Sequence, residues 1–156
     1  MRKRYCWGIV TIAVLILIWG NSMLPGSISG TISSEASQGI LSVIYKLIPN
    51  FPFDFDSFHS FIRKAAHFGE YALLGICFYQ FVCTYRIKHP LIYTLMLCAG
   101  CACIDELIQA FTPNRLSKLS DVMLDSIGAY CGMGLCHRVK RRMNDASNGW
   151  QKNAGS

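Results

Sequence analysis

Charge is scarce in this sequence. Of its 156 residues, 15% are Asp, Glu, Lys or Arg, where a soluble domain carries about 25%. That shortage excludes a disordered tail and a coiled coil. Proline is also rare, with five residues and no repeating glycine period, which excludes a collagenous chain. There is no P-loop, no GxGxxG, no nucleophile elbow and no zinc-finger spacing. Apolar residues, in contrast, make up 52% of the chain, and its mean hydropathy is +0.31. The net charge of +6 does not describe a nucleic-acid surface, because the basic residues collect at the two ends. Arg2, Lys3 and Arg4 stand at one, and residues 137–156 hold five Lys/Arg against Asp145. These features predict an all-α, polytopic membrane helix bundle of one domain, with no nucleic acid among its partners.

Tyr5 to Leu24 is twenty residues without a charge, enough to cross a hydrocarbon core of about 30 Å. Arg2-Lys3-Arg4 would also suit a signal peptide. No small-x-small cleavage site follows Gly20, and Asn21 to Gly26 reads as a helix stop, so the segment is expected to stay as an anchor. Three shorter apolar stretches follow at about 61–82, 91–111 and 121–136, each with acids near one end. Together they predict four transmembrane helices over residues 1–136, followed by a basic cytoplasmic tail at 137–156. Residues 25–60 read as a long outer loop. Within it Gln38 to Leu47 is expected to form a short interfacial helix, and Phe51, Phe53, Phe55 and Phe58 are expected at headgroup level. With the N-terminus inside, ten Lys/Arg fall on the cytoplasmic side and five on the other, which favours both termini on the cytoplasmic side of the cell membrane. The basic ends would then contact anionic phospholipid.

This topology gathers the polar residues. Arg63, His67 and Glu70 share a face of the second span at i, i+4, i+7, with Lys64 and Tyr71 adjoining. Asp105, Glu106 and Gln109 close the third span. Asp121, Asp125 and Gly128 share a face at the start of the fourth. The deepest acids would lie roughly 8 Å below the outer surface at helical rise. Arg115 and Lys118, on the connection between the last two spans, are candidate lid residues. Gly128 and Gly132 form a small-xxx-small pair that permits a close helix crossing. Such groups can serve as interhelical hydrogen bonds and ion pairs; five acids at one level point instead to a pocket open to the outer leaflet.

Lys64-x-x-His67-Phe68-x-Glu70-Tyr71-x-x-Leu74-Gly75 resembles the first signature of the VanZ family of bacterial membrane proteins. Asp105-Glu106-x-x-Gln109-x-Phe111-x-Pro113-x-Arg115, followed by Asp121-Val122 and Gly128, resembles the second. Ser22-x-x-Pro25-Gly26 is similar to the polar stop after the family's first span. The resemblance covers residue 22 to about residue 134. Two positions depart from it: Asn114 stands where a Gly often precedes the arginine, and Asp125 where Asn is usual. The resemblance implies a relative of proteins that confer low-level resistance to teicoplanin, a lipid-tailed glycopeptide. It leaves open whether the family is catalytic.

The expected ligand is a membrane lipid or lipid-tailed cell-envelope molecule, with Arg63, Lys64, His67, Glu70, Tyr71, Asp105, Glu106, Gln109, Arg115, Asp121 and Asp125 around its head. No cofactor is required for that reading. The alternative is a metal-assisted hydrolase or transferase in which His67, Glu70, Asp105, Glu106 and Asp121 hold a divalent cation such as Mg²⁺ or Mn²⁺. The eight cysteines, including Cys98-x-x-Cys101, fall in spans or at their inner ends. They are expected to pack rather than to perform redox chemistry.

Overall fold

The computed structural model describes residues 2–48, 52, 54–115 and 117–153, with side chains in the last helix to residue 148. Phe51 and Phe53 lie outside the described residues. Among the described residues there are five helices and no strand: α1 (Arg2–Met23), α2 (Gly26–Leu47), α3 (Phe55–Cys83), α4 (Pro90–Phe111) and α5 (Leu119–Asn153). The most extensive packing is between α3 and α5; α4 and α1 lie against this pair, and α2 packs on α3.

The α3–α5 contact is close because small residues line it. A Cβ on Gly75 would overlap the carbonyl oxygen of Ala129, and one on Gly132 that of Ala72. Gly128 meets Phe68 in the same way. The small-xxx-small pair therefore has α3 as its neighbour, and backbone-to-backbone approach is what the missing side chains permit. Tyr71, Leu74, Cys77, Cys98, Ala102 and Ala129 form the core with Val14 and Ile18 of α1. All eight cysteines are free, and Cys98 and Cys101 are buried.

Three boundaries differ from the sequence reading. The segment read as a loop is α2, 22 residues long. Three glycines and six serines lower its intrinsic helix propensity, so its periodicity is faint. Its first N–H, on Gly26, is satisfied from outside the helix by the Pro113 carbonyl at 2.9 Å. Helix α3 begins six residues before the expected span, because Asp54 caps it by accepting from Ser57 N–H at 3.2 Å. Helix α5 runs through the expected tail to Asn153; no Gly or Pro stop follows Cys136.

Polarity is distributed inside out. Asp105, Glu106, Gln109, Asp125, Ser37 and Thr94 are buried, whereas Ile9, Ile12, Ile16, Leu17, Leu107, Phe111, Ile127 and Leu135 are exposed. Helix α2 buries Ser37 and exposes Ile28, Ile32, Ile40 and Val43. Among the described residues two helices, Arg2–Met23 and Pro90–Phe111, are long and apolar enough on their own to cross a membrane. Helices α3 and α5, expected as spans, do not reach that apolarity: Arg63, Lys64 and Glu70 interrupt the first, and Asp121, Asp125 and the basic extension the second.

Candidate functional site

The site lies where the ends of α1, α4 and α5 meet the middle of α3. The α4–α5 connection is anchored to the end of α1. Arg115 donates from Nη2 to the Asn21 carbonyl at 2.7 Å and from Nε to that of Leu24 at 3.3 Å. The Asn21 carbonyl also accepts the Leu24 N–H at 3.2 Å, so Arg115 adds a second donor there and binds a carbonyl beyond the helix end. Thr112 donates to the Ser22 carbonyl at 3.2 Å. Arg115, expected as a lid, is thus a clamp on α1. Burial, and then the neighbouring Arg63, push its guanidinium below the ordinary arginine value, against the pull of Asp105, Glu70 and Glu106.

Asn114 completes this turn with φ 56°. Asn and Gly tolerate the left-handed region better than other residues. The departure from the expected Gly therefore preserves the backbone.

Three α4 side chains have different partners. Gln109 Nε2 donates to Asp105 Oδ2 at 3.0 Å and to Ser22 Oγ at 3.3 Å. Glu106 Oε2 accepts the backbone N–H of Lys118 at 2.7 Å and so holds the entry to α5. Asp105 turns to the bundle axis. There the ligand atoms of His67, Asp105 and Asp125 all lie within 4.8 Å of one another. Asp105 is 0% exposed and Asp125 1%.

Two cavities flank His67. The first, about 290 Å³, lies between α3 and α5 and is lined by His59, Arg63, Lys64, His67, Lys118 and Asp121 among others. Three cations against one carboxylate make its wall basic. The second, about 190 Å³, is lined by Asn21, Ser33, Arg63, His67, Glu70 and Arg115, with apolar Ile32 and Ile62. His67 and Arg63 belong to both.

The expected residues are therefore gathered at one pole but shared out within it. His67, Asp105 and Asp125 converge, and buried Tyr71 is within electrostatic range of both aspartates. Asp121, Arg63 and Lys64 line the basic cavity, Glu70 and Arg115 line the other, and Glu106 is engaged by the α5 entry. Of the set expected for a cation, His67, Glu70, Asp105, Glu106 and Asp121, the described residues bring His67 and Asp105 together, and Asp125 joins them within 4.8 Å. Asp125 lies one turn further into the bundle than Asp121, and Glu106 is held by Lys118. Sequence reasoning also missed His59, which bonds through Nε2 to Ser33 Oγ at 2.8 Å. Its i−4 relation to Arg63 put it on the singled-out face.

A family model described as VanZ/LLP1 matches residues 10–140. The chain belongs to the VanZ/LLP1 family. The match takes in both cavities and the α1–turn clamp, and it stops within α5, before the last part of the basic extension. No curated protein and no solved structure matches the chain.

Proposed function

We propose that this VanZ/LLP1 protein is a multi-pass protein of the bacterial cell membrane that binds the anionic head of a lipid-tailed envelope molecule. The reading has α1, α3, α4 and α5 cross the bilayer and both termini face the cytoplasm. Buried acids and exposed isoleucines are the distribution expected when the solvent around a bundle is hydrocarbon. At the pole away from the site, Arg4 stacks over the Tyr85 ring at 4.2 Å and bonds its hydroxyl at 2.8 Å, which suits an interfacial belt.

The observation that carries the ligand reading is the 290 Å³ cavity, where Arg63, Lys64 and Lys118 converge with His59 and His67. A phosphate or carboxylate head would meet these donors while its tail follows the apolar faces of α3 and α5. Retention of such a molecule at the outer leaflet is the basis for low-level tolerance of lipid-tailed glycopeptides such as teicoplanin, in line with the family.

Expression in a susceptible bacterium tests this. Tolerance should rise for a tailed glycopeptide and hardly at all for an untailed one. It should vanish in Arg63→Gln/Lys118→Gln, with protein still in the membrane, and persist in Cys103→Ser, an exposed position away from the site. Equal protection against both drugs, or full protection by the double variant, would refute the reading. A second reading, metal-assisted attack of water on a head-group ester, draws on the convergence of His67, Asp105 and Asp125. It predicts phosphate release from a lipid phosphate by the purified protein, lost in Asp125→Asn.

A further inference from the structure

The bundle core contains a group of side chains whose bonding is incomplete. Asp125 has neither carboxylate oxygen hydrogen-bonded, Asp105 has Oδ1 free, and the Tyr71 hydroxyl and His67 Nδ1 are also without partners. All of these atoms are buried. Buried polar atoms in a folded protein almost always have a partner, and buried carboxyl oxygens left without one are costly. Four of these atoms belong to His67, Asp105 and Asp125, whose ligand atoms lie within 4.8 Å of one another.

We infer that His67, Asp105 and Asp125 form a site for one first-row divalent cation, zinc or manganese, in the bundle core beside the proposed head-group pocket, which His67 also lines. The inference rests on the position of His67 beside that pocket and not on the identity of the head group. Metal–ligand distances of about 2.0–2.2 Å place two ligands of one ion about 3.3–3.6 Å apart in a tetrahedral shell. The observed 4.8 Å limit for all three pairs closes to that with small side-chain rotations. Two carboxylates balance the ion's charge. One imidazole nitrogen with two oxygens favours zinc or manganese over calcium, which prefers an all-oxygen shell of higher coordination. Three protein ligands leave a coordination position for water or a ligand oxygen. Gln109 Nε2, bonded to the other oxygen of Asp105, orients that ligand from behind.

The test is the metal content of the full chain, purified in detergent without chelator. It should retain about one zinc or manganese ion per chain. Stripping with EDTA should lower its thermal midpoint, and adding back Zn²⁺ or Mn²⁺, but not Ca²⁺, should restore it. Outer-shell changes alone cost roughly 10–100-fold in affinity, so removal of a ligand in Asp125→Asn or His67→Gln should cost at least as much. Both variants should lose the metal-dependent shift. In EDTA, Asp125→Asn should be at least as stable as the parent, because it removes a buried carboxyl group that has no hydrogen-bond partner; a folding defect confined to one variant leaves the other to decide. Metal content equal in parent and variants, or no midpoint shift on add-back to the parent, would overturn the site. A shared proton between Asp105 and Asp125 would produce that second result. Since metal content and glycopeptide tolerance are separate readouts, loss of either inference leaves the other standing.

Discussion

Asn114 and Arg115 show how much one turn depends on side-chain choice. At φ 56°, Asn114→Gly should leave thermal stability nearly unchanged. Asn114→Val should lower it by about 1–2 kcal/mol, the cost of a branched residue in left-handed backbone; detergent-based thermal unfolding separates the two. The carbonyl of Asn114 also lies where a Cβ on Gly26 would stand, so Gly26→Ala should push the turn off α1. Arg115→Ala should cost roughly 1.5–3 kcal/mol, as expected for charge-assisted hydrogen bonds, because the Asn21 and Leu24 carbonyls lose the guanidinium donor. Arg115→Lys should recover only part of that loss, since an ammonium lacks the fork that reaches both carbonyls. Equal stability of the parent and Arg115→Ala would remove the clamp from this account.

Helix α5 carries two kinds of glycine, and their contrast tests the packing. Gly132 faces the Ala72 carbonyl, whereas nothing lies near the Cβ position of Gly134. Gly132→Val should therefore destabilise the α3–α5 pair by about 1–3 kcal/mol or more through overpacking. Gly134→Ala should be neutral or stabilise by about 0.5–1 kcal/mol through helix propensity. The start of α3 responds to pH. Hydrogen bonds from Ser57 hold the Asp54 carboxylate below its ordinary value. A depressed carboxylate stabilises the first turn above the unfolded-state pKa, and that support is lost as pH falls through the lower folded-state value. Amide exchange at Ser57 should therefore quicken in acid relative to the rest of α3. In Asp54→Ala it should be fast at all pH values.

At the level of the whole molecule, the same bundle has a basic pole and a site pole. The basic pole brings together Arg4, Tyr85, Tyr79, His137 and Lys140, with Tyr79 bonded to His137 Nδ1 at 2.7 Å and Lys140 over its ring at 5.9 Å. The site pole holds the two cavities. If four helices cross the bilayer, a reporter inserted in the connection between α2 and α3 should face the outside. One placed after residue 148 should face the cytoplasm. Both on one side would end the four-span reading. Helix α2 should then lie at the outer surface, with Ile32 and Val43 open to labelling by a lipid-soluble probe and buried Ser37 protected.

Much of this was legible in the residue order, and the rest required the packed chain. The uncharged run of α1 and the apolar run of α4 are local properties, so their length and composition announced them. The i, i+4 relations of Arg63 to His67, Asp105 to Gln109 and Asp121 to Asp125 were equally local, because helix geometry puts such pairs on one face whatever surrounds them. The stretch of α2 before Gln38 was hidden because its serines and glycines favour no structure alone, whereas Gln38 to Leu47 was expected as a helix; contact with α3 and the Pro113 carbonyl supplies what propensity withholds. Which acids would meet was beyond local reasoning. Glu106 and Asp105 are adjacent in sequence, but one turns to Lys118 and the other to the axis, and only the depth of the α3–α5 crossing, set by Gly75, Gly128 and Gly132, brings Asp125 to His67. Spacing along one helix is fixed by 3.6 residues per turn. Spacing between helices is fixed by the side chains that are missing where they cross.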